Sequence, residues 1–304
     1  MKVNYPEISF SFLPHYIGGI KVKSKNKNID SYFIRSIPEN ILKPSFHELN
    51  ILNPDYLREI FKEELNKMKK FPSKISILLP EQSTRVFLMN FDSLPSKKEE
   101  IRELLLWRIK KLMRLPENGV RLAWEKIDSL DKIKAIAFIA SEKVISQYED
   151  FFSEFKLQVG LIESSIFPLF DMVRKEIEGN SLLINIENSF LTILGFNESN
   201  FLIYRAKSFS LSDKKEILKE IDHTLKFLKD KLNIDVNSLI FRIVDSGDET
   251  EWSEVLKENF SIPIVFIDPF SSIKFDSSIG ELTFKEKQIL SPLIGQTLWR
   301  NLDL

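Results

Sequence analysis

Apolar residues follow two rhythms along this chain, and the switch from one to the other maps its elements. Short apolar or alternating runs at 16–22, 75–79, 86–91, 120–127, 133–140, 182–186, 190–194, 201–206, 239–244 and 262–267 predict strands. Between them, apolar side chains recur every three or four positions. Leu57, Ile60, Phe61 and Leu65 share one helix face, and Ile101, Leu104, Leu105, Ile109 and Leu112 share another. Val144, Tyr148, Phe151, Phe152 and Phe155 mark a third helix, and Ile217, Ile221, Leu225, Leu228 and Leu232 a long fourth. Helices are also expected over 164–178, stopped by Gly179, over 251–259, and at the end of the chain.

Polar punctuation sharpens these boundaries. Asn53-Pro54-Asp55 combines a capping side chain, a proline suited to the first helical position and an acid that complements the helix dipole. Ser96 and Glu99 have capping-box spacing, with Pro95 just outside. Ser141 reads as the cap of the following helix, and Ser291 with Pro292 as the start of the last one. Lys21, Lys23, Lys25 and Lys27, set among Ser and Asn, read as a solvated hairpin tip, because a phosphate site would want glycine amides as well. Gly18-Gly19 inside an apolar run predicts a bend or close strand packing. The order is a strand-rich start and a helix, then a compact α+β subdomain, then three strands, a long helix and two further strands before the closing helix.

Composition narrows the chemistry. With 304 residues, 43% of them apolar, the chain suffices for two domains or one with a sizeable insertion. Lys and Arg number 43 against 44 Asp and Glu, so no excess of basic residues points to nucleic acid. The absence of cysteine excludes disulfides, zinc ribbons and thiol nucleophiles, and His15, His47 and His223 are scattered. Apolar runs are only strand-sized, and the N-terminus is interrupted by Glu7, Pro14 and His15, so a cytoplasmic chain without a membrane span is expected. Phosphate-loop, dinucleotide, nucleophile-elbow and H-E-x-x-H patterns are all missing, and nine glycines leave little for a phosphate cradle. Glu63-Glu64 and Glu99-Glu100 read as solvated pairs on polar helix faces. Trp107, beside Arg108, and Trp124 read as core or interface positions.

Taken in order, these elements match a duplicated architecture, and the chain resembles a family: PilM, the FtsA-like cytoplasmic component of type IV pilus assembly. The resemblance runs through ISILLPEQSTRVFLMNFDSLP, EEIRELLLWRIKKLMRLP, SEKVISQYEDFFSEFKLQVGLIESSIFPLF, LLINIENSFLTILGFNESNFLIYRAKSF, EIDHTLKFLKDKL and SPLIGQTLWR. It implies an α/β fold of mixed sheets, the actin-like (ribonuclease H-like) duplicated fold, with an inserted subdomain and a reduced or absent fourth subdomain. The implied division is 1–73, completed by 164–180 and 288–304, for the first actin-like subdomain, 74–163 for the insertion, and 181–287 for the second.

In actin-like ATPases two hairpins, each with an Asp-x-Gly pattern, hold the nucleotide phosphates and organise Mg²⁺. Here Glu7-Ile8-Ser9 is taken as the first counterpart and Asn185-Ile186-Glu187 as the second, with Gly247 left of the adenine-side glycine pair. Asn185 is a poorer Mg²⁺ ligand than a carboxylate, and Glu187 brings negative charge to the phosphates. Like unit charges about 4 Å apart repel by roughly 4 kcal/mol at an effective dielectric near 20. The expectation is a pseudo-ATPase without ATP or Mg²⁺ as cofactors. By the resemblance, its partner is the cytoplasmic N-terminal tail of PilN, a single-span inner-membrane protein, in pilus or related type II secretion assembly. That would place it in the cytoplasm, held at the inner membrane through that partner. Candidate groove residues are Arg85, Phe87, Trp107 and Arg108, because aromatic anchors beside arginine are typical hot spots. An active actin-like ATPase or sugar-kinase relative, and an FtsA-like filament-forming scaffold, are the alternatives.

Overall fold

The computed structural model describes residues 6–23, 28–68, 72–116, 119–128, 133–187, 189–198, 200–209, 214–244, 249–272, 274–275 and 281–299. One pattern of strands is used twice. Strands β1 (Ile8–Leu13), β2 (Tyr16–Lys23) and β3 (Asn28–Ser36) form an antiparallel meander, and β4 (Lys74–Leu79) and β8 (Gln158–Ser164) continue the sheet in parallel from β1. A short β14 (Lys274–Phe275) closes its far edge, giving the order β14-β3-β2-β1-β4-β8. The second sheet repeats the arrangement. The meander β9 (Asn180–Glu187), β10 (Phe190–Asn197) and β11 (Asn200–Ser208) is extended in parallel by β12 (Ser238–Ile243) and β13 (Ile264–Phe266). A third sheet, β5 (Thr84–Phe91), β7 (Ile133–Ser141) and β6 (Val120–Asp128), belongs to the insertion.

Helices cover these sheets on the faces their apolar stripes dictate. Helices α1 (Pro54–Lys67) and α3 (Glu142–Ser153) pack on the six-stranded sheet through an aromatic core. There Phe10 and Phe152 stack at 5.3 Å, and Phe61 meets Phe152 edge-on at 5.2 Å. Helix α2 (Lys98–Leu112) lays Ile101, Leu105 and Ile109 on the inserted sheet. Helices α5 (Lys214–Leu232) and α6 (Glu249–Asn259) cover the outer face of the five-stranded sheet. Helices α4 (Ile166–Val173) and α7 (Phe284–Ile294) lie between the two large sheets. Helix α4 packs on Leu183 and Ile240, and α7 on Ile20 and Val22. That close seat of α7 needs Gly18, where a Cβ would come within 2.8 Å of Ser11 Oγ and press on Ile289 and Leu293. Gly19 makes room on the other face for the rings of Phe33 and Phe10. Among the described residues, α5 alone fills the connection from β11 to β12, as the reduced fourth subdomain implied.

Several expectations change. The insertion is narrower than 74–163: β4 and β8 are parallel strands of the first sheet, β8 at its edge, and α3 packs on its core, so only residues 84–141 form the inserted sheet with α2. The strand 28–36 escaped the pattern because Asn28, Asp30, Ser31 and Arg35 interrupt its apolar positions. Asp30 binds Lys21 at 2.9 Å and Lys23 at 2.5 Å, so these lysines are not part of a free tip. Lys25 and Lys27 lie outside the described residues. The Ser96–Glu99 box does not form; α2 begins at Lys98, and its N-cap Lys97 makes no side-chain capping bond. Ser291 does not start the last helix. Thr283 and Glu286 make a true capping box, Ser291 Oγ donates to the Lys287 carbonyl at 2.6 Å, and Pro292 lies inside α7. Asn53 and Pro54 start α1 as read, with Asn53 Oδ1 accepting from Tyr56 N at 3.1 Å.

Candidate functional site

The two large sheets meet where β1 turns into β2 and where β9 and β12 end. Leu13, Val244 and Ile289 pack together there, with Tyr16 at the margin. The β1–β2 connection is the two-residue turn Pro14-His15. Glu7-Ile8-Ser9 therefore lies at the other end of β1 and is not the first-hairpin counterpart. The real turn holds neither aspartate nor glycine. Ser9 Oγ instead donates to Gln296 Oε1, while Gln296 Nε2 donates to Glu163 Oε2 at 3.1 Å.

At the second hairpin the sequence-based pair is brought together, with a third residue between. Asn185 and Glu187 follow one another on the same face of β9, and Arg242 of β12 lies opposite Asn185 in the parallel register. Arg242 Nη1 donates to Glu187 Oε2 at 2.5 Å and to Asn185 Oδ1 at 2.8 Å. Its Nε donates to the carbonyl of Gln288 in α7 at 2.7 Å. All four residues are buried; Arg242 and Asn185 are 0% exposed. The Gln288 side chain ties in the neighbouring backbone, accepting from Ile243 N at 3.2 Å and donating to the Ile267 carbonyl at 2.9 Å. In a regular helix the Gln288 carbonyl would accept the amide of residue 292, but Pro292 has none to give. The proline frees the oxygen that Arg242 takes. Glu187 therefore does not stand as the bare negative charge assumed from sequence: its charge is met by an arginine. Gly247 lies outside the described residues.

Glu81, in the turn Glu81–Ser83 that leads from β4 into β5, borders the same junction. It is 1% exposed, and its Oε1 accepts from the Ile166 amide at the start of α4 at 2.9 Å. Glu81 Oε2 and Glu187 Oε1 are buried without a hydrogen-bond partner. Sequence reading missed Arg242 and Glu81. A lone arginine in the apolar run SLIFRIV was the available signal, because a strand buried on both faces carries a charge only where something neutralises it.

The four proposed groove residues are not gathered into one groove. Arg85 and Phe87 lie on the β5 face toward α2, and the Arg85 guanidinium sits 5.0 Å from the Phe46 ring while donating to the carbonyls of Gln82 and Thr84. Phe87 is partly buried in the core beneath α2. Arg108 covers the Phe91 ring at 4.0 Å and donates to the Asn90 carbonyl at 2.8 Å. Trp107 projects away from that core, 54% exposed, under the ammonium of Lys111 at 3.6 Å. The Glu63–Glu64 pair is not solvated as a whole: Glu64 is buried against Arg35 Nε at 2.7 Å.

A cleft of about 590 Å³ lies instead between the 42–53 loop and α3. Leu49, Ile51, Pro54 and Phe151 supply apolar wall, and Glu142, Asp150 and Glu154 a mostly acidic rim with Lys143. Gln147 fixes the loop, accepting from the amides of Asn50 and Ile51 and donating to the Ile51 carbonyl at 2.8 Å. Buried Asn50 holds the turn from within, bonding the carbonyls of Ser45 and Glu48.

No family model matches the chain, and no curated protein matches it. Solved structures do. A PilM–PilN type IV pilus biogenesis complex aligns with a TM-score of 0.80 at 12% identity, over 99% of each chain. The fold is actin-like. A Bacteroides thetaiotaomicron protein with an actin-like ATPase fold and unknown function aligns at 0.55 and 12% identity, over 86% of this chain and 90% of the other. The cytoplasmic domain of EpsL, an inner-membrane component of the Vibrio cholerae type II secretion system, aligns at 0.50 and 6% identity, over 94% of each. Among the described residues no helix is long and apolar enough to cross a membrane, and no cluster of His, Asp and Glu could hold a metal ion.

Proposed function

We propose that this chain is a non-catalytic actin-like adaptor of a pilus or related secretion platform, docking the cytoplasmic tail of a PilN-like single-span inner-membrane protein. It would work on the cytoplasmic side, held at the inner membrane by that partner. The observation that carries the reading is the junction of the two halves. Where an actin-like ATPase would seat phosphates, Asn185 and Glu187 are tied to Arg242, and Arg242 to α7. A nucleotide would have to break a desolvated ion pair and two further hydrogen bonds before gaining any contact. Fold likeness along the whole chain to a PilM–PilN complex supports the choice of partner. Glu142 and Glu154 on the rim of the cleft are already paired with Arg121 and Arg58, so the cleft suits an extended peptide chiefly through its apolar wall.

Calorimetry separates this reading from an active ATPase. ATP with Mg²⁺ should give no binding heat, whereas a synthetic tail of the PilN-like protein should bind. Leu49→Asp should weaken that tail about tenfold or more by charging the cleft wall. A saturable ATP–Mg²⁺ signal in the micromolar range would overturn the non-catalytic reading, and a tail indifferent to Leu49→Asp would remove the cleft from it.

A further inference from the structure

The junction holds more acid than base, and the surplus sits on the turn from which the inserted unit departs. Two carboxylates, Glu81 and Glu187, share the buried space with one guanidinium, Arg242, and Arg242 is hydrogen-bonded to Glu187. Each carboxylate keeps one buried oxygen without a partner. With both ionised, the cluster would carry one uncompensated negative charge out of reach of water, which burial strongly disfavours. Glu81 is also held on both sides. Its Oε1 takes the first amide of α4, and its own carbonyl accepts Thr84 Oγ1 at 3.2 Å, where β5 begins.

We propose that Glu81 carries a proton in the folded chain and acts as a proton-operated clasp, fastening the root of the inserted unit to α4 and the five-stranded half, and loosening when it ionises. The groups facing it are Glu187 from β9, Arg242 from β12 and the phenol of Tyr204 from β11, which also feels Arg85 from β5. Burial first, then the charge of Glu187, push the Glu81 carboxyl up to about 8 from an ordinary value of 4.5; the Ile166 amide, then Arg242 and the nearby Ser164 hydroxyl, oppose them. The sign follows from linkage. Between those two values the folded chain holds one proton that the unfolded chain has released. Stability is therefore full below about 4.5, falls as pH rises, and levels off above about 8. The clasp is independent of the partner and of the adaptor reading.

The test is urea denaturation of the full chain in steps from about pH 5.5 to about pH 9. For the wild type, the unfolding equilibrium should shift toward the unfolded chain by up to about tenfold per pH unit, then flatten. Glu81→Gln keeps an oxygen for the Ile166 amide but cannot titrate, so the wild-type slope should drop out of its profile. Glu187→Gln should move the flattening point to lower pH by removing the neighbouring charge. The same slope in Glu81→Gln and wild type would overturn the proposal. Should Glu81→Gln fail to fold, infrared spectroscopy of the wild type decides. A protonated-carboxyl band at neutral pH that vanishes toward about pH 9 supports the clasp, and its absence overturns it.

Discussion

Two arginine–carboxylate clusters show how position sets the worth of one chemistry. Arg242 and Glu187 sit in the junction with side chains 1% exposed, each oriented by further buried bonds. Arg121, on β6, grips Glu142 at 2.7 Å and Glu149 at 2.5 Å across to α3, with all three side chains a third or more exposed. On paper the second cluster is the richer, with two carboxylates bonded directly to one arginine. Water reverses the ranking. The exposed ions keep most of their hydration apart or together, whereas a buried ion that loses its partner has nothing to replace it.

The largest expected effect comes from breaking the buried cluster on one side. Arg242→Ala should cost about 3–5 kcal/mol in urea denaturation, because Glu187 is left buried and unpaired. Replacing both partners, as Arg242→Met with Glu187→Leu, should cost clearly less than that single change. A double variant as unstable as the sum of its singles would show that the two residues do not act as a pair, and the contrast would fail. Gln147→Ala tests an intermediate case, a half-buried amide holding the loop. Leaving the amides of Asn50 and Ile51 without their acceptor should cost about 1–3 kcal/mol and weaken any ligand of the neighbouring cleft. Arg121→Ala should cost less than about 1 kcal/mol and lose even that in high salt.

Acidity sharpens the contrast further, because the two regions respond to pH with opposite signs. The Arg121 guanidinium holds the Glu142 carboxyl below its ordinary value of 4.5, so its contribution is present above that value and lost as pH falls. Glu81 at the junction behaves in reverse, losing stability as pH rises toward about 8. Arg121→Ala should therefore soften the acid limb of the stability profile while leaving the neutral limb in place.

The sequence disclosed these regions unequally. Strand and helix periodicity located most elements because their apolar faces are regular; of the stripe read on α5, Ile217, Ile221 and Leu228 are buried and Leu225 partly so, while Leu232 at its end is exposed. It failed where polar side chains are satisfied by distant residues. Asp30 disguised a strand by pairing with lysines on its neighbour, and Ser291 imitated a helix cap while bonding back to Lys287. The candidate site divides in the same way. Asn185 and Glu187 were reached through the resemblance, whose Asp-x-Gly pattern falls on them at the second hairpin. Arg242 lies 55 residues from Glu187 along the chain, and only parallel pairing of β9 with β12 brings them together. Trp107 reads as an anchor by residue type alone, since composition cannot say on which side of α2 the indole emerges.

A proline in the closing helix has a reach beyond its own turn. Any descendant of this sequence that restores an amide at position 292 gives the Gln288 oxygen a second suitor, and the guanidinium from the other half must then share it. Positions 242 and 292, fifty residues apart and on different elements, are thereby bound to a common fate: among relatives they should drift together, and a lineage that loses one should soon be found without the other.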